Sequence, residues 1–203
     1  MIKNPMQKEF FNKNAEQWDV ISVHDLKRVD YITSLLKLKG EERIMDVGTG
    51  TGIMIPFYEK YLTSGSVLAV DYSENMVAMA KKKYPFKEHF MIRFEVKDLY
   101  DIDSFMAFDT IVCYSCFPHF PDQSLAVSIL CKALKYGGKL MISHSCSRDK
   151  INQVHRTGGE VISKDYLPCM ETMKKLFVDN GLEILFTQDD EDYFIIVGQK
   201  CAQ

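Results

Sequence analysis

The 203-residue chain is long enough for one domain of ordinary size with a buried core. Its 46% hydrophobic and 26% charged residues have the balance of a soluble globular protein, and its formal charge of −3 is spread without long basic or acidic runs, which speaks against a nucleic-acid footprint. No apolar stretch approaches the roughly 18 residues of a membrane span, and the polar start Met1-Ile2-Lys3-Asn4-Pro5 lacks the apolar centre of a signal peptide. The six cysteines are then expected as reduced thiols in a cytoplasmic protein.

In chain order, strand-like runs are expected at Arg43–Val47, Ser66–Asp71, Met91–Val96, Phe108–Tyr114, Lys139–His144, Leu182–Thr187 and Tyr193–Gln199. Helices fill the gaps at Asp25–Leu38, Gly52–Leu62, Glu74–Lys83, Asp122–Lys135 and Leu167–Asn180. Ser73 and Asp122 are suited to open their helices, Gly181 to stop the last one, and Gly137-Gly138 to separate a helix from the next strand. Lys81-Lys82-Lys83, the densest basic run, reads as a solvated helix end where cations suit the dipole. Such alternation predicts an α/β fold, a mostly parallel sheet with helices on both faces. Only Gln188–Asp192 separates the last two strands, so these must form an antiparallel hairpin, because a parallel crossover needs a dozen or more residues. With no repeat or linker, residues 1–203 are expected to form a single domain.

The segment Asp46-Val47-Gly48-Thr49-Gly50-Thr51-Gly52 follows an apolar strand and precedes a helix. Glycines suit a sharp turn where a ligand approaches bare backbone, and helix N-terminal amides then face an anionic or polar group. Taken alone, the loop is equally a tight turn with no ligand. The next strand ends in Asp71, 19 residues beyond Gly52, where a carboxylate can accept both hydroxyls of a ribose. After the third strand comes Asp98-Leu99, a carboxylate beside a backbone amide that can read an adenine edge, with Tyr72 and Met76 to supply its apolar faces.

These residues resemble the class I S-adenosylmethionine-dependent methyltransferases, in particular their small-molecule, single-domain branch. The resemblance also rests on Phe108-Asp109-Thr110-Ile111-Val112, Leu134–Leu140, the closing hairpin, and an N-terminal Phe10-Phe11-Asn12, Ala15 and Trp18-Asp19 segment that is similar to the family's lid. It implies a seven-stranded Rossmann-like sheet with only the last-numbered strand antiparallel. It also implies S-adenosylmethionine as cofactor, giving S-adenosylhomocysteine as product. Asp46, Gly48, Thr49, Gly50 and Gly52 would then form the loop at the methionine end, and Asp71 would take the ribose. Tyr72 and Met76 would flank the adenine, Asp98 and Leu99 would read it, and Tyr114 would sit near the sulfonium and the acceptor.

Two rivals stand beside this reading. An NAD(P)-binding Rossmann oxidoreductase would show Gly-x-Gly-x-x-Gly, whereas Gly48, Gly50 and Gly52 follow Gly-x-Gly-x-Gly. A catalytically silent cofactor-binding or sensor domain is the other.

For the acceptor, the sequence offers His119, His144 and His155, all near the C-terminal edge of the sheet where ligands bind. Together with Tyr114 they are the candidate catalytic residues, since an alcohol or phenol acceptor needs a base whereas a thiolate or neutral amine does not. The insertion Ser145–Pro168 is expected to cap the acceptor side as residues 1–38 supply the lid. A helix over Ser147–Arg156 would carry His144, Arg148, Asn152 and His155 or Arg156 on one polar face, with Ile151 and Val154 pointing elsewhere. Arg148 and Arg156 would suit an anionic acceptor. Trp18 and Phe117, with Phe10, Phe11 and Phe120, could line an apolar pocket or serve as ordinary core.

No metal is expected. The histidine spacing is irregular, and the Cys113-x-x-Cys116 pair lacks two further ligands and does not open a helix. A metalloid acceptor gripped by Cys116, Cys146 and Cys169 competes with their plainer role as small hydrophobes. Tyr114-Ser115-Cys116-Phe117-Pro118 is not the Asn/Asp-Pro-Pro-aromatic run of enzymes that methylate exocyclic amines of bases. The expected partner is therefore a small molecule, with no nucleic acid and no membrane, and a homodimer is left open.

Overall fold

A computed structural model describes residues 4–201; the polar start at 1–3 lies outside them. Seven strands, β1 (Arg43–Val47), β2 (Ser66–Asp71), β3 (Ile92–Val96), β4 (Phe108–Tyr114), β5 (Leu134–His144), β6 (Leu182–Asp189) and β7 (Phe194–Lys200), form one sheet in the order β3-β2-β1-β4-β5-β7-β6. β7 runs antiparallel to both β5 and β6, and every other pair is parallel. This is the Rossmann-like methyltransferase arrangement that the hairpin required.

Strand periodicity divides the core into two layers. In β4, Ile111 and Cys113 join one layer while Val112 and Tyr114 join the other; in β7, Phe194 and Ile196 alternate with Ile195 and Val197 in the same way. The first layer is covered by α6 (Gln123–Ala133) and α8 (Met170–Asp179), through Val127, Leu130, Met173 and Phe177. The second is covered by α3 (Leu26–Ser34), α4 (Ile55–Glu59) and α5 (Glu74–Lys83), through Ile32, Ile55, Tyr58 and Val77. Each such fully buried Ile, Leu or Phe contributes about 1.5–3 kcal/mol of transfer free energy.

Before this sheet, α1 (Pro5–Asn14) and α2 (Trp18–Ile21) lie over the end of α5. Phe11, Ala15 and Met76 form a third small cluster with Trp18 and Tyr72 packed on it. Ser73 ties the two sides together. Its hydroxyl accepts from the Met76 amide at 3.2 Å, capping α5 as expected, and donates to Asn12 Oδ1 at 2.7 Å.

Three expectations about elements change. The helix after the glycine loop begins at Ile55, not Gly52, because Thr51–Met54 are spent in turns and Gly52 has φ +88°. The helix expected to run to Lys135 ends at Ala133, and Gly137-Gly138 falls inside β5. Leu134 is already extended and pairs with Phe108, and the register shift between Phe108 and Thr110 absorbs the glycine pair. Inside the insertion, α7 (Arg148–Thr157) does form, but it turns Ile151, Asn152 and His155 inward and leaves Val154 exposed. No helix among the described residues is long and apolar enough to cross a membrane.

Candidate active site

The C-terminal ends of β1, β2 and β4, the loop after β3, and the α1–α3 segment enclose a cavity of about 340 Å³. That volume lies within the usual range for small-molecule sites.

At one end is the glycine loop. The Gly48 and Thr49 amides both donate to Val70 carbonyl (2.9 and 3.0 Å), which folds the loop back over β2. Gly48 needs to be glycine: its φ is +69°, and a Cβ there would lie 2.6 Å from Cys116 Cβ. A Cβ on Gly50 would meet nothing nearer than the Trp18 indole nitrogen, at 3.8 Å, so its backbone stands open to the cavity. Gly52 does not line the cavity; a Cβ there would meet the Tyr84 ring at 2.8 Å, and its role is packing.

Asp71 is buried on the cavity wall. Its Oδ2 accepts from the Gly50 amide and its Oδ1 from the Ser73 amide, both at 2.9 Å. Burial raises its pKa, and the two amides only partly offset this. Each oxygen retains a lone pair, so hydroxyl donors in the cavity would stabilise the carboxylate further. Tyr72, Met76, Asp98 and Leu99 continue the wall. Asp98 also accepts from the Tyr100 amide at 3.0 Å, which holds the turn after β3.

Asp46 behaves differently from the expectation. It does not line the cavity: Oδ2 accepts from Thr49 Oγ1 (2.6 Å) and Oδ1 from the Tyr58 hydroxyl (3.1 Å) behind the loop. Burial pushes its pKa up to about 7 against those two hydrogen bonds, and the Asp71 charge adds to the rise. Asp46 therefore braces the loop from within the core.

At the other end are Tyr114 and His119. The Tyr114 hydroxyl lies 2.8 Å from Ser145 Oγ and 2.8 Å from His24 Nδ1, and His24 Nε2 lies 3.1 Å from Ser22 Oγ. Burial raises the Tyr114 pKa and lowers that of His24. His119 Nδ1 meets Asp165 Oδ2 at 2.6 Å, and its ring sits between Phe11 and His155, 5.0 and 4.9 Å away between centroids. With Asp165 accepting the Nδ1 proton, Nε2 is the basic nitrogen.

The sequence-derived site residues therefore separate into two groups. Gly48, Thr49, Gly50, Asp71, Tyr72, Met76, Asp98, Leu99, Tyr114, His119 and Trp18 line one cavity. Asp46, Gly52, Phe117, His144, His155, Arg148, Asn152 and Arg156 do not. Phe117 is core, packed on Phe120. His144 is buried beside Phe194, and burial lowers its pKa to about 3, with the nearby charges of His119, His155 and His24 adding to the fall. His155 is buried behind His119, with its pKa lowered to about 4 by burial first and by His119 second. Neither His144 Nε2 nor His155 Nδ1 has a hydrogen-bond partner.

Asn152 clamps the insertion to itself, donating to Leu167 carbonyl at 3.0 Å and accepting from Leu167 amide at 2.8 Å. Arg148 pairs with Asp149 on the outside and Arg156 is exposed, so the expected anion-binding face does not reach the cavity. A side chain that must satisfy itself when α7 docks turns toward the core; a charged one stays in water.

His24, Asp165 and Gln7 were missed. Nothing in their local sequence marks them, since each acquires a partner across at least 46 positions. Cys113 and Cys116 are buried free thiols, and Cys116 Sγ donates to Val47 carbonyl at 3.1 Å. Among the described residues, no group of three or more His, Cys, Asp or Glu is arranged to hold a metal ion.

A family model described as a methyltransferase domain matches residues 45–142, from β1 into β5. A phosphatidylethanolamine N-methyltransferase of Cereibacter sphaeroides is 29% identical over 114 residues, covering 53% of each chain. A malonyl-[acyl-carrier protein] O-methyltransferase of Acetivibrio thermocellus is 23% identical over 145 residues, covering 70% of this chain and 50% of that one. The chain spans about half the length of the curated relatives it matches. In fold it is similar to the magnesium protoporphyrin IX methyltransferase of Synechocystis PCC 6803 solved with bound SAH, at a TM-score of 0.75 and 19% identity, covering 97% of this chain and 99% of that one. A methyltransferase domain is thus matched over just under half of the chain, and the fold is similar to that of methyltransferases solved with SAH or SAM bound.

Proposed function

We propose that this chain transfers a methyl group from S-adenosylmethionine to a small-molecule acceptor, within a single domain whose residues 1–38 act as lid and 145–168 as acceptor-side cap. The observation that carries this reading is the continuity of one cavity from Gly48–Gly50 and Asp71 to Tyr114 and His119. The residues fit the donor. Gly50 leaves open backbone for its methionine end, Asp71 has acceptor capacity for two ribose hydroxyls, Tyr72, Met76 and Leu99 offer apolar surface to adenine, and Asp98 accepts from its amino group. When bound, S-adenosylmethionine supplies a methyl on a sulfonium, an electrophile that needs no further activation.

The protein's task is then to align the acceptor, exclude water and remove a proton. Phe11, Trp18, Val23, Leu26, Phe120 and Pro121 make the wall between lid and sheet largely apolar, and the two lysines that line the cavity, Lys83 and Lys97, are paired with Asp19 and Asp103. A compact, uncharged acceptor bearing an O–H or N–H suits this wall better than an anion. Nε2 of His119 accepts the acceptor's proton, and Asp165 stabilises the resulting imidazolium across the 2.6 Å contact. Tyr114, held between Ser145 and His24, orients the acceptor atom.

Calorimetric titration with S-adenosylhomocysteine and with NADH tests the donor assignment. Saturable binding of the first and none of the second is expected, and the reverse would overturn it. His119→Ala should retain the S-adenosylhomocysteine affinity while abolishing transfer of labelled methyl to phenol and alcohol panels. Transfer by His119→Ala at the wild-type rate would remove it as the base.

A further inference from the structure

Gln7, at 2% exposure, is the one polar residue that α1 buries, beside the apolar Phe11. Its amide spans two functional ends of the cavity. Nε2 donates to Asp165 Oδ2 at 2.8 Å, and Oε1 accepts from the Tyr72 hydroxyl at 3.0 Å. Asp165 Oδ2 is also the atom that meets His119 Nδ1 at 2.6 Å. One chain of hydrogen bonds, Tyr72–Gln7–Asp165–His119, thus runs from the end of β2 through α1 and the insertion to the loop after β4.

Every link has a donor and an acceptor of the right kind: phenol to amide oxygen, amide nitrogen to carboxylate, imidazole N–H to the same carboxylate. The chain closes only when α1 is docked, because Gln7 is the sole contribution of α1 to it. Asp165 lies in a segment of turns between α7 and α8, and Asn152 anchors the neighbouring Leu167 rather than Asp165 itself.

We propose that Gln7 and Asp165 are positioning residues that couple closure of the α1 lid over the donor to the tautomer and orientation of His119. The proposal rests on the reading of the cavity as a methyl-donor site, and it deepens that reading by giving the lid a catalytic consequence. With the lid open, Asp165 loses one of its two donors and Tyr72 loses its tether. With it closed, the carboxylate is fixed to accept Nδ1–H, which makes Nε2 the base.

The test needs no acceptor. S-adenosylhomocysteine is titrated against the full chain by calorimetry and by the fluorescence of Trp18, the chain's single tryptophan, which lines the cavity. Gln7→Leu and Asp165→Ala should each weaken S-adenosylhomocysteine roughly five- to thirtyfold, as expected for a lost buried hydrogen bond in the lid-closed state. The double variant should be no weaker than either single one, because both cut the same link. Unchanged affinity in either single variant, or losses that multiply, overturns the coupling.

In parallel, two-bond ¹H–¹⁵N spectra of the imidazoles, with His119→Gln to identify the signals, report the tautomer. Wild type should carry its proton on Nδ1 and Asp165→Ala on Nε2, because the acceptor that holds Nδ1–H is gone. The same tautomer in both proteins, or Nε2–H in wild type, overturns the positioning role. If wild type binds no S-adenosylhomocysteine, the donor reading fails by itself, and the tautomer measurement still decides the Asp165 link.

Discussion

The deepest consequence of the burial pattern concerns His144. It ends β5 in register with Phe194, is 3% exposed, and leaves Nε2 without a partner. Burial lowers its pKa to about 3, against 6.5 when unfolded. A base with a depressed folded pKa contributes stability that is complete above its unfolded pKa and is lost as pH falls toward the folded one. The gap of about 3.5 units is worth about 5 kcal/mol by pH 3, and about 2 kcal/mol of this is lost between pH 6.5 and pH 5. His144→Leu, close to it in size and with nothing to titrate, removes that dependence. Urea unfolding at pH 7.5, 6 and 5 should therefore show wild type losing about 2 kcal/mol more than the variant over the range. At a slope of about 2 kcal/mol per molar urea, that is a midpoint difference of about 1 M. His155 and the carboxylates titrate in both proteins and cancel in the comparison. Parallel stability curves would refute the reasoning and point to a hydrated, partnered His144.

Other expectations follow from the same contacts. Asp46, raised to about 7 from 3.8 by burial, opposes folding increasingly as pH rises from 4 to 7, so Asp46→Asn should gain stability over wild type at pH 8 relative to pH 4.5 in paired denaturation curves; a gap that does not change with pH would contradict this. Asp71→Ala removes the acceptor of two buried amides as well as the ribose partner, so thermal unfolding should drop by about 2–4 kcal/mol, and S-adenosylhomocysteine binding should be lost in calorimetry on the folded fraction. Gly48→Ala combines a positive φ with a 2.6 Å approach to Cys116 Cβ and should cost about 2–4 kcal/mol, whereas Gly137→Ala, with open space around it, should cost about 1–2 kcal/mol from its φ alone; equal losses would argue against the close approach.

Much of the glycine-loop half of the cavity was legible in the residues. Asp71 and Asp98 end local strand-to-helix or strand-to-turn units, and the glycine loop and its carboxylates recur at intervals that the parallel topology converts into adjacency. Asp46 shows the limit of such reasoning. Its position in the motif is plain, but whether it faces the ligand or the core depends on Tyr58, which reaches it from α4. The end toward Tyr114 and His119 was less legible still. His144, Arg148, Asn152 and Arg156 have a suggestive helical spacing, yet α7 buries Ile151, Asn152 and His155 and leaves its arginines outside.

Sequence alone determined most of the elements, the antiparallel end of the sheet and the glycine turn after β1, because hydrophobic period, turn residues and short connections act locally. Tertiary structure alone decided that Gln7 and His24 meet the cavity, that Asp165 backs His119, and that His144 and His155 stand behind it. Those positions depend on how α1 and the insertion pack over the sheet. Contacts between residues 46 to 158 positions apart leave no periodic trace in either segment.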